Sequence, residues 1–232
     1  MEACQRRGLL VLVTWACMFI GSALAAFALA LAGGAPPTLE GVAALLNSRP
    51  YLASYLEVVG VGALPLAFSL LCRDEPELYG LRREGLTRSL ALSVLLAIPW
   101  LAPRVAALLR GGLEYAGFGL TFPYNLWYAL LGVFAYGPLE AFFVVWLIVN
   151  TDIALGSSKR RISPGLVVTA LAFGLSHVVA SPQAGVLNAL SVALEFFLLG
   201  LVFKYTGNSA GPMVAWTLMN GQVLRLAIGC LK

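Results

Sequence analysis

From Tyr124 to Asn150 the chain runs through an apolar stretch, YNLWYALLGVFAYGPLEAFFVVWLIVN, with one charged side chain, Glu140, near its middle. About 20 apolar residues suffice for a helix to cross the hydrocarbon core of a bilayer. Away from water a helix keeps every backbone N–H and C=O paired within itself. A carboxylate at that depth costs at least about 2.5 kcal/mol, so it marks a site before any motif is considered. The chain is therefore expected to be a membrane protein built around a polar group it cannot hold cheaply.

Composition agrees. Of 232 residues 60% are hydrophobic and 11% charged, against about half and a quarter in soluble domains. Hydropathy divides the chain into about seven spanning helices: Leu9–Ala32, Tyr51–Cys72, Ser89–Leu109, Tyr124–Asn150, Pro164–Ala180, Val186–Tyr205 and Met213–Cys230. There are eight if Leu39–Leu46 also crosses rather than lying at the interface. The expected fold is an all-α, polytopic transmembrane helix bundle forming a single domain over residues 1–232. Arg6 and Arg7 precede an apolar run about twice the length of a signal-peptide core, so that run is read as the first span. With the N-terminus cytoplasmic, Arg6, Arg7, Arg73, Arg82, Arg83, Arg88, Lys159, Arg160, Arg161 and Lys204 fall inside. Arg49, Arg110 and Lys232 fall outside. Ten against three fits the positive-inside rule and an odd number of spans. The expected location is the cell membrane, as a multi-pass protein.

Two classes drop out and a third, a carrier, is weakened. Cys4, Cys17, Cys72 and Cys230 show no paired spacing, which argues against a disulfide framework or a thiolate metal site. No basic cluster with interleaved aromatics suggests a nucleic-acid partner. No internal repeat or paired broken helix suggests a carrier.

The polar residues within the spans fall at one depth. At 1.5 Å per residue, Glu140 and Asn220 lie about 15 Å, and His177 about 20 Å, from the cytoplasmic ends of their helices. Glu195 falls in the same layer, sharing a helix face with Asn188 and Ser191. Thr169, Phe173, Ser176 and His177 share a face of the preceding helix. Such a layer suits a wet cavity in which a carboxylate and an imidazole activate water and an amide steadies an oxyanion. The bland alternatives are a hydrogen-bonded acid joining helices, a satisfied structural histidine, a bridging Asn220, a packed Trp216, and a charge pair of Glu195 with Arg225. Glu57 lies in no motif and receives no role.

Three short patterns add to this. GPLEAFFVV holds Glu140, AFGLSH holds Phe173 and His177, and GPMVAWTLMN holds Trp216 and Asn220. In order and spacing the chain resembles the CAAX prenyl endopeptidase and bacteriocin-processing (CPBP, or Abi) intramembrane protease family. That family carries EExxxR, FxxxH and HxxxN on successive motif helices. The resemblance covers roughly residues 78–220 and includes the flanking stretches LYGLRREGLTRSLALSVLL and EFFLLGLVFKYTGNSAGPMVAW. The second motif is complete; Ala141 and Val145 replace the second acid and the arginine of the first, and Trp216 replaces the histidine of the third.

The resemblance implies catalysis by Glu140 and His177 acting on water, with Asn220 as oxyanion donor. Phe173, Trp216 and Glu195 are candidate supporting residues. The implied substrates are membrane-associated or prenylated peptides, so the partners are the lipid bilayer and a peptide or lipidated protein, with no nucleic acid. One histidine and no HExxH leave too few ligands for zinc, so neither a metal nor another cofactor is expected. The missing motif residues leave a second reading open: a catalytically impaired relative that binds membrane peptides or stabilises a partner.

Overall fold

The computed structural model describes residues 2–49, 51–111, 121–180, 185–221, 223, 224 and 228. Among them the regular structure is helical throughout, with no strand. In order the helices are α1 (Glu2–Ala16), α2 (Ser22–Ala32), α3 (Leu39–Ser48), α4 (Tyr51–Glu57), α5 (Leu64–Leu71), α6 (Leu86–Leu109), α7 (Tyr124–Phe134), α8 (Glu140–Ala154), α9 (Pro164–Ala180), α10 (Gly185–Thr206) and α11 (Ala210–Met219). Widened π turns at Cys17–Gly21, Val58–Ala63 and Ala135–Leu139 join α1 to α2, α4 to α5 and α7 to α8 without a break.

Five of the resulting rods are long and apolar enough to cross a membrane: Arg6–Ala32, Leu52–Leu71, Leu86–Leu109, Asn125–Ala154 and Gly185–Thr206. Helix α9, with 17 residues, is shorter. Helix α11 differs from the expected Met213–Cys230 at both ends. It begins at Ala210, whose N–H donates to the Asn208 side-chain oxygen (3.0 Å). That places Pro212 in the first turn, where its missing N–H costs no helical bond. It is interrupted after Met219, where Asn220 is extended (φ −66°, ψ 115°), and Gly221, Val223, Leu224 and Ile228 are again helical. Helix α3 lies where an interfacial helix was expected, its Thr38 hydroxyl capping Gly41 N (3.1 Å). The expected turn at 181–184, most of the Gly-rich stretch 112–120, and Arg225, Cys230 and Lys232 lie outside the described residues.

Helix α8 is the axis of the bundle. Residues Glu140 to Asn150 are all buried, Trp146 and Phe143 completely. Helices α1, α9, α10, α11 and the Val58–Ala63 turn all pack around it. A helix apolar all round is what such a central position requires.

The polar ends of the rods are joined at one pole. Arg7 donates to both carboxylate oxygens of Asp74 and to the Asn150 side-chain oxygen (2.7 Å), while the Tyr79 hydroxyl donates to Asp74 (2.6 Å). Asp152 accepts from the Gly165 N–H (2.9 Å), the Ser157 hydroxyl (3.0 Å) and Lys204 Nζ (2.7 Å), tying α8 to the start of α9 and the end of α10. Asn208 donates to the carbonyls of Arg82 and Glu84 and accepts, through its own carbonyl, from the Ser89 hydroxyl (2.8 Å). The two loop stretches that carried part of the resemblance are thus packed on each other. Helices α6 and α11 touch there through Gly211, where a Cβ would lie 2.3 Å from the Ser89 carbonyl oxygen.

Two outcomes follow from this pole. Asp152→Ala strands a mostly buried lysine, and breaking a buried pair in this way costs about 3–5 kcal/mol; thermal melts in detergent measure it. The Arg7 hydrogen bond, outweighing burial, holds the Asp74 carboxyl below the usual carboxylate range. A lowered folded pKa contributes stability above the unfolded value of about 3.9, lost as pH falls through the folded value. The melting temperature should therefore fall below about pH 4, and Asp74→Asn should lower the neutral plateau while flattening that acid limb.

Candidate functional site: a buried glutamate node

Two prolines set up the site. A proline inside a helix lacks a donor and its ring clashes with the carbonyl four residues before it. Pro138 lies within the widened turn Ala135–Leu139, and Pro65 follows directly on the turn Val58–Ala63. A π turn leaves room for the ring and changes the facing of the next side chain. Each turn adjoins a glutamate: Glu57 precedes the first, and Glu140 follows the second. Only a residue without a side chain fits where the turns meet, since a Cβ on Gly62 would lie 2.4 Å from the Leu139 side chain.

Glu140 is 5% exposed. Its Oε2 accepts from Trp216 Nε1 at 2.6 Å and from Asn220 Nδ2 at 3.1 Å. The same amide nitrogen donates to the Tyr136 carbonyl at 2.8 Å, inside the π turn. These bonds account for the extended Asn220: leaving the helix lets its amide reach both oxygens. A fourth group adjoins the node, because the Glu57 side chain lies close enough to Glu140 to interact with it. Two carboxylates side by side share a proton more readily than they bear two charges. Two acids, an indole N–H and an amide thus meet in one buried cluster.

Of the residues singled out in the sequence, Glu140, Trp216 and Asn220 come together. His177 stands apart. Its Nδ1 pairs with the Phe173 carbonyl (3.0 Å), which can only accept, so Nδ1 carries a proton. Among the described residues no hydrogen bond joins His177 to Glu140. A chain of rings lies between them: His177 sits edge-on to Phe173 (5.2 Å between centroids), Phe173 on Phe196 (4.9 Å), and Phe196 on Trp216 (4.3 Å).

Glu195 belongs to another cluster. It accepts from Ser191 (2.8 Å), which accepts from Trp100 Nε1 (3.3 Å), and Arg104 attracts it across the α6–α10 interface. Thr169 on α9 is buried without a hydrogen-bond partner, and Ser176 donates to the Phe173 carbonyl (2.6 Å). No three of His, Cys, Asp and Glu gather into a metal-binding group among the described residues.

Glu57 is the functional candidate that motif reading passes over. Its signal was its place inside an apolar span, with Gly60, Gly62 and Pro65 close behind it.

Trp216→Phe keeps an aromatic ring beside Phe196 and deletes the N–H together with the pyrrole half of the indole. Losing a hydrogen bond to a charged acceptor costs about 1.5–3 kcal/mol. In a double-mutant cycle with Glu140→Gln, read from unfolding in mixed micelles, the two costs should be non-additive. Infrared spectra should show a protonated-carboxyl C=O band that Glu57→Gln removes or shifts. Compared with protein-family models, curated proteins and solved structures, the chain gives no match.

Proposed function

We propose that the protein is an intramembrane hydrolase of the CPBP kind in which the Glu57–Glu140 pair manages the protons of an attacking water. The carboxyl pair at two facing π turns carries this reading, since π turns inside helices recur at functional sites. Joining helices needs only one satisfied acid. Two acids sharing a proton form a unit able to accept and donate in one cycle.

In the proposed reaction the ionised member takes a proton from water as its oxygen bonds to the scissile carbonyl carbon. The protonated member gives its proton to the carbonyl oxygen. Collapse of the tetrahedral diol breaks the C–N bond; the leaving amine takes a proton from the pair, and one diol hydroxyl returns a proton to it as the product carbonyl forms, restoring the starting state. Trp216 and Asn220 hold Glu140 in register. His177 lies beyond the Phe173 and Phe196 rings, where it can meet substrate or solvent entering from the α9 side.

By resemblance the substrates are membrane-associated or prenylated peptides. The topology proposed with it has seven spans, α9 and the α11 segment included, in the cell membrane with a cytoplasmic N-terminus. The ten-to-three charge asymmetry and the gathering of Arg7, Asp74, Asp152, Lys204 and Asn208 at one pole support that orientation.

A specific observation favours a second reading. Glu140 is buried and both its N–H donors are engaged, so hydrolysis requires the π turns to open and admit water. A relative that kept the fold to bind peptides needs no such opening.

Fluorogenic prenylated peptides offered to detergent-solubilised protein test the choice. Glu140→Gln and Glu57→Gln should each lower the rate by about 10²-fold or more, and His177→Ala by less. Binding without turnover in the wild type, or equal rates in all variants, leaves the second reading.

A further inference from the structure

On the membrane face of α6 and α10, away from the glutamate node, lies an apolar groove of about 270 Å³. Leu92, Leu95 and Leu96 form one wall and Leu198, Leu201 and Val202 the other. On α6 these leucines fall 4, 7 and 8 residues after Arg88, and on α10 Leu198, Leu201, Val202 and Tyr205 follow at 3, 4 and 7. Both sets are single helix faces. From Arg88 to Leu96 the groove runs about 12 Å, most of the roughly 15 Å depth of one leaflet's hydrocarbon.

Its mouth is charged. Tyr205 lines the groove at the charged pole. The Arg88 guanidinium lies 4.2 Å from the centre of the Tyr205 ring and donates to its hydroxyl; the Arg161 guanidinium lies 5.2 Å from the same ring. The ion pairs among the described residues are Arg7–Asp74 and Lys204–Asp152, so neither arginine meets a carboxylate. Both guanidiniums lie against one ring, so an anion placed beside it meets two positive charges. Planar guanidinium forks match phosphate oxygens.

We propose that this groove is a binding site for one anionic glycerophospholipid, its phosphate on Arg88 and Arg161 and an acyl chain between α6 and α10. A free phosphate has no use for the leucine walls, and a zwitterionic lipid brings its own ammonium to the arginines. Because the site joins the start of α6 to the end of α10 and the loop before α9, an occupied groove braces all three.

The test titrates full-length protein in neutral detergent with phosphatidylglycerol, phosphatidylcholine of the same chains, or inorganic phosphate. Binding is read by native mass spectrometry and by the rise in melting temperature. Phosphatidylglycerol should bind with one-to-one saturation and raise the melting temperature; the other two probes should do neither. Arg88→Ala and Arg161→Ala should each weaken phosphatidylglycerol binding by about fivefold. Leu201→Trp, which fills the groove and leaves both arginines, should abolish saturable binding. Should the arginine variants fold poorly, the Leu201→Trp result decides alone. Equal binding of phosphatidylcholine, an equal effect of inorganic phosphate, or undiminished binding by Leu201→Trp overturns the proposal.

Discussion

A carboxyl group in the middle of an apolar helix bundle is the constraint on which this structure turns. Placed there alone, Glu140 opposes the burial of the helix that carries it. Donors from α11 and a second acid from α4 surround it instead. The arrangement explains three features that look unrelated along the chain: the π turn before Glu140, the break of α11 at Asn220, and the close approach of the α4–α5 rod through Gly62. The indole and the amide both end on Glu140 Oε2, and the π-turn carbonyl of Tyr136 holds the amide in place.

Stability and the node divide the molecule between them. At the charged pole Arg7–Asp74, Asp152–Lys204 and the Asn208 hub join helix ends where water is near and a lost bond can be partly replaced. Mid-bundle, the polar contacts are fewer and have no such replacement. The ring series from His177 to Trp216 connects the two lone nitrogen-bearing motif residues mechanically, since a shift of Phe173 or Phe196 is felt at both ends.

The departures from the motifs that the sequence resembles acquire a physical sense in this setting. Ala141 stands where a second acid was expected, yet a second acid reaches Glu140 from another helix. Trp216 replaces a histidine and still donates a hydrogen bond, through an N–H that cannot deprotonate in its place. The node is a different chemical solution from the motif, with acid–acid rather than acid–imidazole contact.

The amino-acid sequence alone determined the helical class, the five long apolar rods to within a few residues, a separate short helix at α3 and the grouping of charged loops. Hydropathy is a local, additive property, and a bilayer demands the same length from every rod. Helix facing was the tertiary structure's to decide. Along α8 every residue from Glu140 to Asn150 is buried, so no polar stripe records which neighbour its glutamate meets. The π turns then rotate Glu57 and Glu140 by an amount that no regular 3.6-residue period contains. Coincident depth suggested that Glu140, His177 and Asn220 would meet; rotation about the helix axes joined Glu140 to Glu57, Trp216 and Asn220 and left the imidazole behind Phe173.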